Sequence, residues 1–293
     1  MTNHSHKHNA ADKSLRTYHL IRPSCRFLVM RHLLLFAIAC FSVPLFADET
    51  PIKPSAPVTL FNGKDLGDLK VWLRDSKAAD PKGVFTVKDG VIHISGDGFG
   101  YARTEKAYRD YSAVLEYKWG QKTDGGKYVR NSGLLVNANG PDGGAGKGAW
   151  MSCIEVQLAQ GCEGDLIGIR GADEKGQTVP VRLFADVAIG PDKKPRWKEG
   201  GEKREFVGRQ LWWSNHEPFF KELLDTRGKD DVASPLGEWT KVECVCEGST
   251  ITVIVNGKTV NKAYDVFPAA GHVLLQCEGH ELYVRKFELL PVK

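Results

Sequence analysis

The chain lacks the short motifs that identify several large enzyme classes. It has no HExxH, no GxSxG and no EF-hand loop, so it carries no signature of zinc peptidases, α/β-hydrolases or EF-hand proteins. The glycine-rich stretches at 96–100 and 146–148 match neither a dinucleotide fingerprint nor a P-loop. Function must therefore be inferred from the strands and from the polar side chains that they carry.

An excess of charge of one sign is also missing. The 293 residues contain 40 Lys and Arg against 36 Asp and Glu, but six of the basic residues and one acidic residue lie in residues 1–47. The remaining chain is close to neutral and has no basic stripe. Because nucleic-acid binding relies on clustered positive charge, we expect no nucleic-acid partner.

One apolar run, at residues 33–47, indicates targeting. Its length is below the roughly 20 residues that a transmembrane helix needs. A basic flank, a short apolar run and a small residue before a polar start are typical of a secretory signal peptide, here cleaved after Ala47. Met30 directly precedes the basic flank and is an alternative start to Met1, with residues 1–29 then an extension. We expect export to the periplasm or beyond, with no transmembrane segment in the mature chain; a lipid anchor at Cys40 is less favoured.

From residue 58 onward, apolar and polar residues alternate between turns rich in Gly, Asp, Asn and Pro. This spacing predicts strands at 84–87, 91–94, 111–119, 133–137, 153–159, 166–170, 240–247, 250–256, 272–278 and 281–290. Only 216–225 has the spacing of a helix. We therefore predict an all-β fold of two antiparallel sheets, a sandwich or a jelly roll, with one or two short helices. Residues 48–57 would be a Pro-rich tether and 58–291 a single domain.

Five of the seven cysteines follow residue 47, so the mature chain would hold at most two disulfides and one free thiol. Cys244 and Cys246 alternate in a predicted strand, which places both sulfurs on one face and favours core packing over a zinc or redox site. We expect no cysteine chemistry. The sequence indicates no metal site, although ligands contributed by distant residues would not be visible in it.

The predicted strand at 153–159 separates its side chains by face. Glu155 and Gln157 stand side by side, about 7 Å apart, opposite an aliphatic row. They could form a solvated outer face. Trp150 and the glycine-rich loop at 137–148 favour a sugar site instead, because a sugar ring stacks on aromatic planes and its hydroxyls bind carboxylates and amides.

Several stretches together resemble a known family. They are LFNGKDL at 60–66, VLEYK at 114–118, NSG at 131–133, IEVQ at 154–157, GEWT at 237–240, VNGK at 255–258, LLQCEG at 274–279 and VRKF at 284–287. In this order they are similar to the 3-keto-disaccharide hydrolase domain family, over residues 58–291. The chain departs from the family at Glu278, where His is frequent, at Asn137, where Arg is common, and in a long insert at 173–234.

The resemblance implies a concanavalin A-like jelly roll and activity on 3-keto-glycosides. A ketone at C3 acidifies the C2 proton, so a base can remove that proton while the C1 oxygen leaves. Addition of water completes a hydrolysis, and stopping earlier gives a lyase. The expected partner is thus a glycan or an oxidised disaccharide.

For this reaction we expect Glu155 or Glu116 as the general base, with Lys118 or a divalent cation stabilising the enolate. No other cofactor is indicated. The side chains expected to bind substrate are Gln157, Asn131, Trp150, Gln276 and Arg103. Glu116 could instead form an ion pair with Lys118 or Arg103, and Gln276 could be a structural strand amide. Two carboxylates would equally suit ordinary glycoside hydrolysis.

A non-catalytic carbohydrate-binding module is the alternative to an enzyme, because a fold does not determine a function. The same face would then bind glycans without turning them over. A structural cell-surface domain, with no saturable sugar binding, is a third interpretation.

Overall fold

The computed structural model describes residues 50–292. The predicted signal peptide, the start at Met30 and the first two residues of the tether lie outside this range. Within it, no helix is long and apolar enough to span a membrane.

Strands make up nearly all the regular structure of residues 50–292, with one 3₁₀ turn at Gly146–Gly148. The strands are β1 (Val58–Thr59), β2 (Lys70–Leu73), β3 (Phe85–Lys88), β4 (Val91–Ile94), β5 (Phe99–Arg103), β6 (Tyr111–Trp119), β7 (Gly133–Asn139), β8 (Ser152–Gln157), β9 (Leu166–Ile169), β10 (Gly171–Ala172), β11 (Thr178–Val179), β12 (Arg182–Ile189), β13 (Pro195–Trp197), β14 (Glu202–Phe206), β15 (Gln210–Leu211), β16 (Thr240–Glu247), β17 (Thr250–Val255), β18 (Lys258–Phe267), β19 (His272–Glu278) and β20 (Leu282–Pro291).

The strands form two large antiparallel sheets. The first has eleven strands in the order β13-β12-β18-β17-β16-β6-β20-β4-β3, with β1 beside β20 and β14 beside β12. The second has seven strands in the order β15-β9-β8-β7-β19-β5-β2. Strands distant in sequence lie side by side in both sheets, as in a jelly roll. The predicted all-β, two-sheet fold is confirmed.

The core lies between the two sheets and follows from the alternation of side chains along each strand. From β6 it receives Leu115 and Tyr117, both with at most 1% of their surface exposed. From the seven-stranded sheet it receives Ile154 and Val156 of β8 and Leu275 of β19. Because these residues point inward, the residues between them on β8 and β19 must point away from the core.

All ten predicted strands are present, and β4, β6, β16 and β19 have the predicted bounds. The predicted helix at 216–225 is wrong: this segment is a series of turns. Phe219 has a left-handed φ of 63°, which interrupts a helix. Phe219 is 71% exposed and Leu223 is 55% exposed, so the apolar residues do not form one buried face.

The insert at 173–234 adds strands to the edges of the sheets. Within it, β12 pairs with β18 on one side and with β13 and β14 on the other, which extends the eleven-stranded sheet. The short strand β15 pairs with β9 at the edge of the seven-stranded sheet. The insert is therefore part of the same sandwich.

All five cysteines of the described chain are buried and unpaired. Cys244 and Cys246 both point into the core, with their sulfur atoms 3.9 Å apart, as their spacing predicts. No disulfide forms among residues 50–292, so their stability rests on packing and hydrogen bonding.

Candidate functional site

The candidate site lies on the face of the seven-stranded sheet that points away from the core. Glu155 of β8 and two side chains of β19, Gln276 and Glu278, emerge on this face, with β7 between the two strands. On β7, Leu135 pairs with Glu155 and Gly133 with Gln157. The sheet therefore brings together acids and amides that are more than 100 residues apart in the sequence.

Gly133 creates a gap between Glu155 and Gln276. A Cβ atom at Gly133 would lie 2.5 Å from Oε1 of Glu155 and 3.0 Å from Oε1 of Gln276. Both oxygens thus approach the same space above the glycine backbone. Because any larger residue would fill this space, glycine allows the two side chains to converge.

The two carboxyl groups of the site have raised pKa values. Glu155 is 5% exposed, and burial, together with the charge of Glu278, raises its pKa to about 8, while the neighbouring Gln276 amide acts in the opposite direction. Burial also raises the pKa of Glu278 to about 7. Because the negative charge of Glu278 disfavours ionisation of Glu155, the two carboxyls lose their protons in separate steps, Glu278 at the lower pH.

Three polar oxygens of this region are buried without a hydrogen-bond partner among the described residues. They are Oε1 of Glu155, Oε1 of Gln276 and Oδ1 of Asn131, which lies two residues before β7. Buried polar atoms in native proteins are nearly always paired, and an unpaired group loses free energy unless a ligand or water satisfies it. Three such atoms from three chain segments favour a polar ligand.

Gln157 has a mainly structural contact. Its Oε1 accepts hydrogen bonds from the backbone N–H groups of Leu158 at 3.0 Å and Ala159 at 3.2 Å. The carbonyl oxygen of this side chain therefore caps the turn after β8. Only the amide nitrogen remains for the predicted substrate contact.

Aromatic side chains extend the face away from the carboxyls. Trp72, Phe99, Tyr101 and Trp150 belong to a second apolar cluster on this outer face. Trp150 is 9% exposed and packs against Gly146 of the glycine-rich loop, while the Trp72 Nε1–H donates to the Gly148 carbonyl at 3.1 Å. Trp150 thus holds this loop on the sheet and does not present the open plane expected for sugar stacking.

Arg103 lies on the same face but is neutralised. Its Nε and Nη2 donate to the two oxygens of Asp142 at 2.8 and 3.1 Å, and the Tyr101 hydroxyl donates to the same carboxylate at 2.7 Å. Such bidentate pairs are strong and well oriented. Arg103 therefore anchors the glycine-rich loop to β5, and a direct contact to substrate would require breaking this pair.

Glu116 and Lys118 lie elsewhere, so the prediction that they share one site with Glu155 is wrong. Both belong to β6 of the eleven-stranded sheet and point away from the core on the opposite side of the sandwich. Arg285 Nε donates to Glu116 at 2.5 Å. The Lys118 ammonium stands 5.0 Å from the centroid of the Trp239 ring. The strand alternation was correct, but it does not reveal to which sheet a strand belongs.

Glu278 was not among the predicted site residues, although its alternation with Gln276 in β19 already placed both on one face. The loops beside the site were not predicted either. Arg130 is 3% exposed and donates to Asp225 at 2.8 Å and to the Gly120 carbonyl at 2.7 Å. This ion pair ties the segment before β7 to the turns at 217–228. Phe220, from those turns, and Tyr128 pack against a small apolar cluster that includes Ala159, just after β8.

A pair of acids, buried amides and an aromatic extension on one sheet of a jelly roll are typical of carbohydrate-active proteins. The model of one family, the 3-keto-alpha-glucoside-1,2-lyase-like domain, matches residues 56–290. The chain belongs to this family, whose description places it among carbohydrate-active proteins.

Solved structures of low identity also match the chain. Two are proteins of Parabacteroides distasonis provisionally assigned as glycosyl hydrolases, each 18% identical, with TM-scores of 0.47 and 0.43. The matches cover 81% and 80% of this chain and 95% and 99% of those chains. A carbohydrate-binding module of Bacillus subtilis is 8% identical with a TM-score of 0.38, over 67% of this chain and 85% of that chain. No curated protein matches the chain.

Proposed function

We propose that this protein cleaves glycosides whose sugar carries a ketone at C3, using the Glu155 and Glu278 carboxyls for proton transfer. The observation that carries the proposal is the pair of carboxyls, buried Glu155 and half-buried Glu278, which has pKa values near neutrality and lies beside unpaired amide oxygens. The family description points to the same substrate class. General acid–base catalysis works best when the pKa of the group is close to the working pH.

The reaction needs one base and one acid. Removal of the C2 proton forms the enolate of the C3 ketone. Return of this electron pair re-forms the ketone, creates a C1–C2 double bond and expels the C1 oxygen, which takes up a proton. Addition of water across the double bond then gives the free sugar. One ionised and one protonated carboxyl supply both groups at once.

Burial decides which carboxyl takes which role. Glu155 is more deeply buried than Glu278 and keeps its proton to higher pH. In the resting pair Glu278 is therefore the ionised base for the C2 proton, and Glu155 is the acid for the leaving oxygen. This reverses the role that the sequence suggested for Glu155. The amide groups of Gln276 and Asn131 would hydrogen-bond the enolate oxygen and the hydroxyls.

A carbohydrate-binding module without catalysis is the second candidate. It is favoured by the separation of Lys118 from the site and by the pairing of Arg103 with Asp142, because both cations expected near the substrate are engaged elsewhere. The same amides and carboxyls would then bind a sugar without proton transfer.

Incubation with 3-keto-trehalose distinguishes the two candidates. The proposal predicts release of free sugar by the native chain and a loss of at least about a hundredfold in Glu155→Gln and Glu278→Gln, because each removes one proton-transfer group. Glu116→Gln is the matched control, since it alters a carboxylate on the opposite face. Saturable binding without released sugar would identify a binding module.

We also propose that the protein works outside the cytoplasm, on the basis of the apolar run at 33–47. N-terminal sequencing of the protein from its native host tests this directly. A mature chain starting at Asp48 is expected, whereas a chain starting at Met1 or Met30 in the soluble cell extract would contradict it.

A further inference from the structure

The loop between β8 and β9 holds a cluster of ligating side chains to which the proposed reaction gives no role. Cys162 and Asp165 of this loop meet His216 from the segment that follows β15. Their exposed fractions are 2%, 0% and 2%. One potential ligand atom from each residue lies within 4.8 Å of the other two. Three side chains of different chemistry, a thiol, a carboxyl and an imidazole, therefore meet at one buried position.

One ring nitrogen of the His216 imidazole is held by a backbone carbonyl. Its Nδ1 lies 3.0 Å from the Gly161 carbonyl oxygen. A carbonyl oxygen can only accept a hydrogen bond, so Nδ1 carries the proton and Nε2 has the lone pair. This arrangement, with one ring nitrogen donating to a backbone carbonyl, is the usual support of a metal-binding histidine.

The carboxylate of Asp165 is held from both sides. Its Oδ1 accepts from the Trp213 backbone N–H at 2.6 Å, and its Oδ2 accepts from the Gln210 amide at 2.7 Å. Each carboxylate oxygen has a further lone pair after one hydrogen bond. The two donors therefore fix the carboxylate without using up its capacity to bind a cation.

The nearest guanidinium does not neutralise the cluster through a direct ion pair. Arg196 donates from Nη1 and Nη2 to Asp192 at 2.7 and 2.8 Å, and from Nε to the His216 carbonyl at 2.6 Å. Arg196 thus positions the backbone of His216 while its charge is paired with Asp192. A buried carboxylate next to a thiol and an imidazole would be stabilised by a cation of its own.

We propose that Cys162, Asp165 and His216 bind a zinc ion. Thiolate, imidazole and carboxylate are the three ligand types that zinc prefers, and three protein ligands leave a fourth position for water or a backbone carbonyl. A tetrahedral zinc site holds its ligand atoms roughly 3.3–3.7 Å apart. The three ligand atoms, which lie within 4.8 Å of one another, would have to move closer on binding the ion to reach this geometry.

Zinc at this place would join the β8–β9 loop to the segment at 213–216. That loop begins directly after Gln157, and its Cys162 packs with Phe220 and Tyr128 beside the candidate site. The ion would thus act as a structural clamp beneath the loops. This inference does not depend on the proposed reaction, because it rests on a different set of side chains.

Cobalt titration of the chelator-treated full chain tests the site. A cysteine ligand produces a near-ultraviolet thiolate-to-cobalt absorption band, which the histidines at 4, 6 and 8 cannot produce. We expect this band to saturate at one equivalent of cobalt and to disappear on addition of one equivalent of zinc. Cys162→Ala should abolish it. Cys244→Ala, which removes another buried thiol, should leave it unchanged.

The two other ligands are tested by affinity. His216→Gln and Asp165→Asn should each weaken zinc binding at least about tenfold in competition with a chromophoric chelator. Circular dichroism of each metal-free variant shows whether it is folded. Absence of the cobalt band in the folded native chain, or its persistence in Cys162→Ala, would overturn the proposal. If one variant proves to be unfolded, the native chain and the remaining folded variants still test the zinc site.

Discussion

Glu155 on β8 and Glu278 on β19 influence each other across the intervening strand β7: the charge of Glu278 contributes to raising the pKa of Glu155 to about 8. Other carboxylates of the protein, such as Asp142 and Glu116, have an arginine partner. The neighbour that stabilises the ionised form of Glu155 is instead a neutral amide, that of Gln276. The pair therefore determines how many protons the site holds at a given pH.

The pair predicts a narrow bell-shaped dependence of kcat/KM on pH. Below about pH 7 both carboxyls are protonated and the base is lost, and above about pH 8 both are ionised and the acid is lost. The maximum should therefore lie between these values. Initial rates with a 3-keto-glucoside from pH 5 to 10 measure the profile. A flat profile across this range would remove the pair from the mechanism.

Gly133→Ala should reduce activity while leaving the fold intact. The added Cβ would enter the space that Glu155 and Gln276 share, and displacement of a reacting group by about 1 Å can cost about a hundredfold in rate. Gly168→Ala is a suitable control, since its Cβ would meet nothing closer than 3.3 Å. Equal activities of the two folded variants would show that activity does not depend on the approach of Glu155 and Gln276 above Gly133.

Glu155→Gln should stabilise the protein, and increasingly so at higher pH. The folded-state pKa of Glu155 is raised from 4.5 to about 8, so ionisation of this carboxyl opposes folding over that interval. The difference amounts to up to about 1.4 kcal/mol for each pH unit. Thermal unfolding of both proteins at pH 4, 6 and 8 measures it. A melting-temperature difference that stays constant with pH would contradict the assigned pKa.

Glu116→Gln and Lys118→Met should keep activity within about twofold of the native chain. These side chains contact Arg285 and Trp239 on the far side of the sandwich, and exposed ion pairs contribute only about 0–1 kcal/mol to stability. Steady-state kinetics of both variants provide the measurement. A large fall in kcat in either variant would show that the reaction takes place on the eleven-stranded sheet.

Period-two spacing was sufficient to predict the strands that carry the site. In β19, the alternation places Gln276 and Glu278 on one face and Leu275 in the core, as observed. In β8, it separates Glu155 from Ile154 and Val156 in the same way. Side-chain alternation is a local property, so these features can be predicted from short stretches of sequence.

Features that depend on distant contacts could not be predicted in this way. The sequence does not show that β6 and β8 belong to different sheets, which led to the wrong grouping of Glu116 with Glu155. The turns at 217–228 have helical spacing, but the ion pair of Arg130 with Asp225 and the left-handed φ at Phe219 hold them in another conformation. Short edge strands such as β14, with the sequence EKREF, contain too few apolar residues for the alternation to identify them.

Isotope exchange at C2 tests the central claim most directly. Native protein, Glu155→Gln and Glu278→Gln are incubated with a 3-keto-glucoside in D₂O, and deuterium at C2 is followed by NMR against an enzyme-free control. The account predicts deuterium at C2 of the sugar released by the native chain, exchange without release in Glu155→Gln, and neither in Glu278→Gln. Release of sugar by the native chain without deuterium at C2, or unchanged exchange in Glu278→Gln, would contradict it.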